Sequence, residues 1–273
     1  TREISFLGQH FSVFGAGMGV GGAALGTALS ELITAIMMLY AVCIRSPILK
    51  LSKEGSWRPS KTHLKTAAKI AIPVALEHSA LCGAQIASTK IVAPLGTISV
   101  AANSLAVTAE SFCYMPGYGI GSAATTLVGQ SIGAGRKDLA RRFARICVAF
   151  GAAVMFVSGV VMYIVAPQMF SILTPVSEIQ MLGTHVLRIE AFAEPMYAVS
   201  IVAAGALRGA GDTLIPGIMN LASMWGGRIT AAAVLAPIYG LSGVWIAMCG
   251  ELCVRGLLFL IRLLREKWLE IKL

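Results

Sequence analysis

Charged residues are scarce in this sequence. Asp, Glu, Lys and Arg make up 13% of the 273 residues, whereas hydrophobic residues make up 56% and the mean hydropathy is +0.77. A soluble domain carries roughly a quarter charged residues, so this composition does not suit a water-covered globular surface. Helices whose outer faces meet lipid need no polar coat. The composition therefore excludes an ordinary soluble domain and predicts an all-α membrane protein.

Motifs for enzyme chemistry are also lacking. The six cysteines lie in apolar stretches without the spacing of a disulfide framework, and the four histidines show no metal-ligand spacing. Cys249 and Cys253 share a helix face, for which small-residue packing is favoured over a metal site. The run Gly-Ala-Gly-Arg-Lys at 133–137 lacks the strand and the Lys-Ser/Thr pair of a phosphate-binding loop. We expect no enzyme, no metal site and no cofactor.

Apolar runs dominate what is present. Seven of them are each long enough to cross a hydrocarbon core of about 30 Å. They lie near residues 17–44, 68–93, 99–131, 143–166, 182–207, 213–236 and 240–263. The connection at 94–97 is short and uncharged, whereas the one at 45–65 is long, polar and basic.

The basic residues are distributed unevenly between the connections. Seventeen of the 22 Lys and Arg residues cluster at four alternate connections, and the other connections contain only Arg2. This asymmetry follows the positive-inside rule, so the net charge of +9 indicates anionic lipid headgroups rather than nucleic acid as partner. It predicts a multi-pass protein of the cell membrane (inner or plasma membrane), with the N-terminus outside and the C-terminus in the cytoplasm.

A short internal repeat organises the chain. Residues 19–26 and 240–247 each form a glycine turn that opens an apolar helix, with an acid about eleven residues on, at Glu31 and Glu251. The two copies are 221 residues apart, which leaves room for about six spans. We therefore predict that residues 1–45 end one lobe, 46–65 form a cytoplasmic linker, and 66–273 form a six-helix C-terminal lobe.

Six acids fall within the predicted spans. They are Glu31, Glu77, Glu110, Glu190, Glu194 and Glu251. An ionised carboxylate at the bilayer centre costs about 2.5–3.5 kcal/mol even on lenient scales. Such groups require an aqueous cavity, internal partners or protonation. A carboxylate for which a proton and an organic cation compete is a physical basis for antiport.

The densest acidic cluster precedes a proline. Glu190 and Glu194 are four residues apart, so an unbroken helix would stack them on one face, and Pro195 removes a backbone donor there. Either the pair faces a cavity as a binding site, or Arg188 neutralises one acid and the pair packs helices.

The other three acids to interpret are Glu77, Glu31 and Glu251, and only Glu77 has two equally weighted alternatives. Glu77 lies one turn after Pro73, either as a binding residue or in a structural hydrogen bond. Glu31 and Glu251 occupy equivalent places in the repeat and are expected to be structural, with Glu251 paired to Arg255 one turn on.

Glu110 precedes a glycine-rich stretch that carries two tyrosines. Tyr114 and Tyr118 have the rings needed to stack on an organic cation, and a helix broken here would resemble the discontinuous helices of transporter sites. The alternative is a kinked but continuous helix that packs closely through Gly117 and Gly121.

Three glycine-rich motifs stand out, at residues 129–137 (Gly-Gln-Ser-Ile-Gly-Ala-Gly-Arg-Lys), 207–213 (Leu-Arg-Gly-Ala-Gly-Asp-Thr) and 19–24 (Gly-Val-Gly-Gly-Ala-Ala). Through these motifs the sequence resembles the multidrug and toxic compound extrusion (MATE) transporters. Ile72-Pro73 and the turn at 94–97 also look like the seventh helix of that family and its turn. The match is similar to helix six plus the C-terminal lobe of a twelve-helix protein.

The resemblance implies efflux of organic cations or drugs, driven by inward H⁺ or Na⁺. It implies small-molecule substrates, membrane lipids and an N-terminal lobe as partners. Some family members carry a glutamate in helix seven; Leu81 stands at that position, and Glu77 is one turn earlier as a substitute. The alternatives are a lipid-linked oligosaccharide flippase of the same superfamily and a non-transporting truncated protein.

Overall fold

A computed structural model describes residues 2–6, 9–13, 18–45 and 60–270. Residues 1–65 and 66–273 form two compact units. The division falls at the predicted start of the C-terminal lobe. The assignment of the units to two transporter lobes stays a prediction, and residues 46–59 of the predicted linker lie outside the described part of the chain.

The first unit contains a hairpin and a long apolar helix. Strands β1 (Arg2–Phe6) and β2 (Gln9–Val13) pair antiparallel, with Arg2 opposite Val13, a feature that the sequence analysis did not predict. Helix α1 (Gly19–Tyr40) continues as a π-helical turn over Ala41–Arg45. It begins at a glycine with φ +52°, just as Gly240 with φ +60° precedes the last helix. The glycine turn predicted for both copies of the repeat is therefore present locally.

The second unit contains the remaining helices, except that the first residues of α2 belong to the first unit. Their bounds are α2 Lys61–Val92, α3 Thr97–Gly133, α4 Lys137–Leu173, α5 Ser177–Glu190, α6 Glu194–Gly209, α7 Leu214–Leu221, α8 Thr230–Tyr239 and α9 Leu241–Leu264. Short 3₁₀ turns lie at Ala93–Leu95 and Lys267–Glu270, and a π-helical segment, Ala222–Ile229, joins α7 to α8.

Joined across their short interruptions, the described helices fall into seven helical segments near the seven predicted positions. Four of the described segments are long and apolar enough to cross a membrane: Ala24–Arg45, Lys137–Leu173, Leu214–Tyr239 and Leu241–Leu264. The passes near 68–93, 99–131 and 182–207 fall short by this measure. Helices α2 and α3 carry polar residues that line an internal cavity. The segment near 182–207 is interrupted between α5 and α6. The predicted all-α membrane fold is confirmed.

Small residues bring the helices of the second unit close together. Alanines fill much of the interior, among them Ala124, Ala144 and Ala206, which are fully buried. Gly205 and Gly209 of α6 lie so close to α3 that an added Cβ would collide with backbone carbonyls there. Without a hydrophobic driving force between lipid-facing helices, such close van der Waals contact is a main source of association.

The proline in α3 does not break the helix. Helix α3 runs without interruption from Thr97 to Gly133 with Pro116 inside it. Gly117 and Gly121 face Met155 and Ile201 of neighbouring helices. Of the two sequence interpretations, the continuous, closely packed helix is therefore observed, and the discontinuous helix was wrong.

The C-terminal turn docks onto the same unit. The Glu266 carboxylate accepts from Arg141 at 2.7 Å and from Arg145 at 2.8 Å, and its own backbone has φ +55°. Trp268 is buried and donates its indole N–H to the Leu263 carbonyl at 2.9 Å. The basic start of α4 is thereby tied to the end of α9.

Candidate functional site: a polar cavity between helices

A cavity of about 460 Å³ opens between α2, α3, α6, α9 and the π-helical segment. Four of the six predicted site residues line it: Glu77, Glu110, Tyr114 and Tyr118. The lining also includes polar residues that sequence reasoning did not assign to a site, which are His78, Gln85, Tyr197, Arg208, Asn220, Arg228 and Arg255. The volume lies within the range of small-molecule sites.

Glu77 is held by two partners. Arg208 donates to its Oε1 at 2.7 Å and Asn220 donates to the same oxygen at 2.6 Å. The Glu77 carboxylate is almost fully buried, whereas a third of the Arg208 side chain is exposed. Of the two alternatives weighed for Glu77, the structural hydrogen bond is observed, although the residue also lies on the cavity wall. These two bonds fasten α2 to α6 and α7.

Glu110 differs from Glu77 in having no hydrogen-bond partner in the described part of the chain. It is 6% exposed and lines the cavity, yet it forms no hydrogen bond or ion pair with any described residue. The Tyr114 ring follows one turn later and meets Tyr118 edge-on at a centroid distance of 5.7 Å. Tyr197 of α6 faces Tyr114 at 5.8 Å. An unpaired carboxylate beside three aromatic rings can attract a proton or an organic cation.

Glu251 is shared by two arginines next to the cavity. Arg228 donates to its Oε2 through Nε at 3.0 Å and Nη2 at 2.7 Å, and Ser223 donates to Oε1. Arg255 lies 3.3 Å from Oε1 through its Nε, which confirms the predicted pair one turn apart. The Arg255 guanidinium also lies over the Tyr197 ring, 5.5 Å from its centroid. The expectation of a structural Glu251 agrees with this network.

The π-helical segment supplies two members of that network, Ser223 and Arg228. π-helical turns are frequent at functional sites. On the same segment the Trp225 indole donates to the Ala80 carbonyl of α2 at 3.1 Å. The sequence signal for this arrangement was weak, since Arg228 and Arg255 stood out only as charged residues inside apolar spans.

Glu190 and Glu194 lie outside the cavity lining. Both are fully buried; the Glu190 oxygens have no hydrogen-bond partner among the described residues, and the Cys113 thiol of α3 is the polar group that interacts with Glu194. The expectation that they share a helix face was wrong, because α5 ends at Glu190 and α6 begins at Glu194, with Pro195 in its first turn. The Glu194 side chain instead packs against Gly159 of α4. Burial without a partner favours the uncharged acid.

Arg188 does not pair with either of these acids. Its Nε donates to the Tyr163 carbonyl at 3.2 Å, and its guanidinium lies 5.0 Å from the centre of the Tyr163 ring. It lines a second, larger surface groove of about 810 Å³ with Glu178 and His185. We place the site in the smaller cavity because that cavity gathers the carboxylates, arginines and tyrosines.

The described residues contain no group of three or more His, Cys, Asp or Glu side chains arranged to hold a metal ion. The six cysteines are free thiols. The predicted preference for packing over a metal site at Cys249 and Cys253 stays a prediction.

A bundle of apolar helices with a polar cavity between them is typical of membrane transporters. The family model MatE matches residues 73–234, more than half of the chain. The chain belongs to the MatE family of membrane transporters, as the sequence resemblance indicated.

Individual relatives agree with this assignment. The chain is 28% identical over 253 residues to a "Probable multidrug resistance protein NorM" of Thermotoga maritima, covering 92% of this chain and 54% of the relative. It is 26% identical to the "Uncharacterized transporter YisQ" of Bacillus subtilis, covering 95% and 58%. It also resembles the solved outward-facing structure of a multidrug resistance MATE family transporter, with TM-score 0.80, 20% identity and coverage of 93% and 58%. The chain thus spans about half the length of the curated relatives it matches.

Proposed function

We propose that this chain forms one half of a secondary transporter that exports organic cations or drugs in exchange for H⁺ or Na⁺. The role is transport rather than catalysis. The proposal rests on membership of the MatE family and on relatives named as probable multidrug resistance proteins. Because those relatives are nearly twice as long, the proposed transporter includes an N-terminal lobe as partner.

A single observation carries the proposal: Glu110 is a cavity carboxylate without an internal partner. Glu77 and Glu251 are already bound by arginines, so an incoming cation would have to displace them. Glu110 lies in the cavity with the tyrosine rings, and Arg228 and Arg255 act on it electrostatically without forming a hydrogen bond to it. A cation on those rings gains about 0.5–2 kcal/mol in addition to its attraction to the carboxylate.

Competition for Glu110 supplies the proposed coupling. A proton or Na⁺ bound at this carboxylate neutralises it, and an organic cation does the same, so the two exclude each other. When one lobe alternately exposes the cavity to each side of the membrane, exclusive occupancy exchanges drug for ion. Glu190 and Glu194 are proposed as further proton-binding carboxyls behind the cavity, reached through local movement at the break between α5 and α6.

The proposed location is the inner or plasma membrane, with the C-terminus in the cytoplasm. This rests on the basic connections, since Arg136, Arg141 and Arg145 lie at the turn before α4 or in its first turns. Basic connections favour the cytoplasmic side of the membrane, because that leaflet carries anionic headgroups and basic loops tend not to be translocated.

A second candidate is a flippase for lipid-linked sugars. The observation that favours it is the presence of Arg208, Arg228 and Arg255 on the cavity wall, since arginines suit phosphate groups. Each of these arginines is paired with Glu77 or Glu251, which reduces the positive charge available to a pyrophosphate. Drug export is therefore the first proposal.

Replacement of Glu110 by Gln tests the proposal. Glu110→Gln keeps the size of the side chain but removes its charge and its ion-binding capacity. We expect at least a tenfold loss of ethidium efflux from cells that express the full-length transporter, at normal membrane abundance. The matched control is Glu178→Gln, an exposed acid at the start of α5, which should leave efflux unchanged. If Glu110→Gln cells pump ethidium like the parent, with the same pH dependence, the proposed role of Glu110 is wrong.

A further inference from the structure

Arg188 is a cation that neither the proposed transport cycle nor the topology explains. Its Nε donates to the Tyr163 carbonyl at 3.2 Å and its guanidinium lies over the Tyr163 ring, but its Nη groups have no acceptor in the described part of the chain. Tyr163 lies far along α4 from the basic turn at Arg136, so the positive-inside pattern does not account for Arg188. A cation inside an apolar segment is costly unless an anion compensates it.

The guanidinium lines the groove of about 810 Å³ that Pro167 of α4 forms with one face of α5. Thr184 and His185 lie on the same wall, and they offer a hydroxyl and an imidazole as further hydrogen-bonding groups. Glu178, near the start of α5, lies about 15 Å before Arg188 along the helix. The part of the groove around Arg188 therefore suits an anion, and phosphate oxygens match a guanidinium well.

A smaller apolar crevice of about 280 Å³ adjoins this groove. Tyr163 connects the two, because its ring lines the crevice while the ring and the carbonyl hold Arg188. In the crevice the Tyr163 ring meets Phe192 edge-on at a centroid distance of 5.9 Å. Phe156 and Phe192 are largely exposed, so the crevice is open from outside. An open apolar crevice of this kind suits a hydrocarbon chain.

The groove and the crevice follow each other along α4 in the order of the parts of a phospholipid. Pro167, in the groove, lies at the end of the predicted apolar run 143–166, where the hydrocarbon core ends. Val160 and Phe156, in the crevice, lie about 10 and 16 Å deeper along the helix. A headgroup phosphate lies at this boundary and its acyl chains extend inward.

These two depressions are separate from the polar cavity. Both α4 and α5 are described throughout, and neither contributes a residue to the wall of that cavity. A molecule bound beside Arg188 is therefore not in the proposed substrate site.

We propose that the groove and the crevice together bind one anionic phospholipid of the phosphatidylglycerol type. Its phosphate accepts from Arg188, with Thr184 and His185 beside it, and one acyl chain lies against Tyr163 and Phe192. An anionic headgroup is favoured over a zwitterionic one, because a zwitterion already carries a cation for its phosphate and leaves Arg188 uncompensated. The inference does not depend on the proposed transport function.

Native mass spectrometry of the purified full-length protein tests the headgroup. Added phosphatidylglycerol should bind about tenfold more tightly than phosphatidylethanolamine, and Arg188→Gln should remove this preference. About tenfold is the loss expected for one charge-assisted hydrogen bond. The control Arg142→Gln removes an exposed arginine from the basic start of α4 and should keep the parent preference.

Three outcomes of this measurement would overturn the inference. One is an unchanged preference in a folded Arg188→Gln protein. Another is loss of the preference in Arg142→Gln instead, which would place the lipid at the basic turn. The third is a dimer without bound lipid, which would show that a second copy covers this face.

A photoreactive lipid tests the position of the acyl chain without any variant. Phosphatidylglycerol with a diazirine in one acyl chain should crosslink to the peptides that contain Phe156 to Tyr163 or Phe192. An excess of unlabelled phosphatidylglycerol should prevent the crosslink, whereas glycerol phosphate, which lacks acyl chains, should not. Crosslinks confined to other helices, or full competition by glycerol phosphate, would show that the crevice holds no lipid chain and that the inference is wrong.

Discussion

Glu251 shows how a charged residue is tolerated inside an apolar helix. It lies in the middle of α9, yet it is surrounded by Arg228, Arg255 and the Ser223 hydroxyl. Removing one partner of a buried ion pair is costly because the remaining charges lose their compensation. Here a single substitution leaves two buried arginines unpaired.

Glu251→Gln should therefore lower the stability of the protein. Breaking a buried pair costs about 3–5 kcal/mol, and the retained hydrogen-bonding capacity of Gln places the effect near the lower end. We expect a clearly lower midpoint of thermal unfolding in detergent, measured by fluorescence-detected size exclusion. The control Glu178→Gln alters an exposed acid and should keep the parent midpoint. A Glu251→Gln protein as stable as the parent would show that the network does not support the fold.

The contrast between Glu77 and Glu110 shows what could not be predicted from the sequence for individual residues, namely which carboxylate has a partner. Both were recognised as acids inside spans, because an acid in an apolar run is visible locally. Their different states depend on Arg208 and Asn220, which lie 131 and 143 positions from Glu77 along the chain. Nothing near Glu77 or Glu110 in sequence reveals those partners, so the paired and the unpaired carboxylate looked alike.

At the scale of helices, the glycines of α6 determine how closely it approaches α3. An added Cβ at Gly209 would meet the Thr125 backbone, and one at Gly205 would meet the Gly121 carbonyl. The Thr125 hydroxyl also donates to the Gly205 carbonyl at 2.8 Å. Neither backbone can yield without separating the helices.

Gly209→Ala should accordingly destabilise the helix pair by about 1–3 kcal/mol, the range for overpacking of a tight core. Gly119→Ala is the matched control, because its added methyl group meets nothing within 4 Å. That control should be neutral, or stabilising by up to about 1 kcal/mol, since alanine favours helix over glycine. Thermal unfolding of both variants in the same detergent gives the comparison. Equal midpoints would mean that the helices separate without cost.

The helices themselves were largely predictable, whereas their interruptions were not. Apolar runs and glycine turns are local features, so the positions of the helical segments could be predicted from the sequence. Helix α4 is longer than its predicted span of 143–166 because its amphipathic start, Lys137 onward, already forms helix beyond the apolar run. Pro195 indicated a local disturbance of the helix but not that the helix breaks after Glu190. No sequence pattern predicted the π-helical segment.

For the whole molecule, the orientation in the membrane remains a prediction that labelling can test. Thr97 lies in an uncharged connection and Arg136 in a basic one, and both are exposed in the structure. An impermeant thiol reagent added outside intact cells should modify Thr97→Cys and spare Arg136→Cys, each measured above the background of the parent protein. Permeabilised cells should show labelling at both positions. The reverse pattern in intact cells would invert the predicted topology.

The glycine contacts between α3 and α6 have a consequence for inhibitor design. Tyr114 and Tyr197 project from this closely packed helix pair, and their rings meet edge-on at a centroid distance of 5.8 Å, so a ligand lies beside the rings and not between them. Helix α2 forms another wall of the cavity. Its Glu77 accepts hydrogen bonds from Arg208 and Asn220, and its Ala80 carbonyl accepts one from Trp225. A rigid compound that competes for the Glu77 carboxylate would separate α2 from Arg208 and Asn220. Its potency would then depend on thickness, a property that medicinal chemistry can vary one ring substituent at a time.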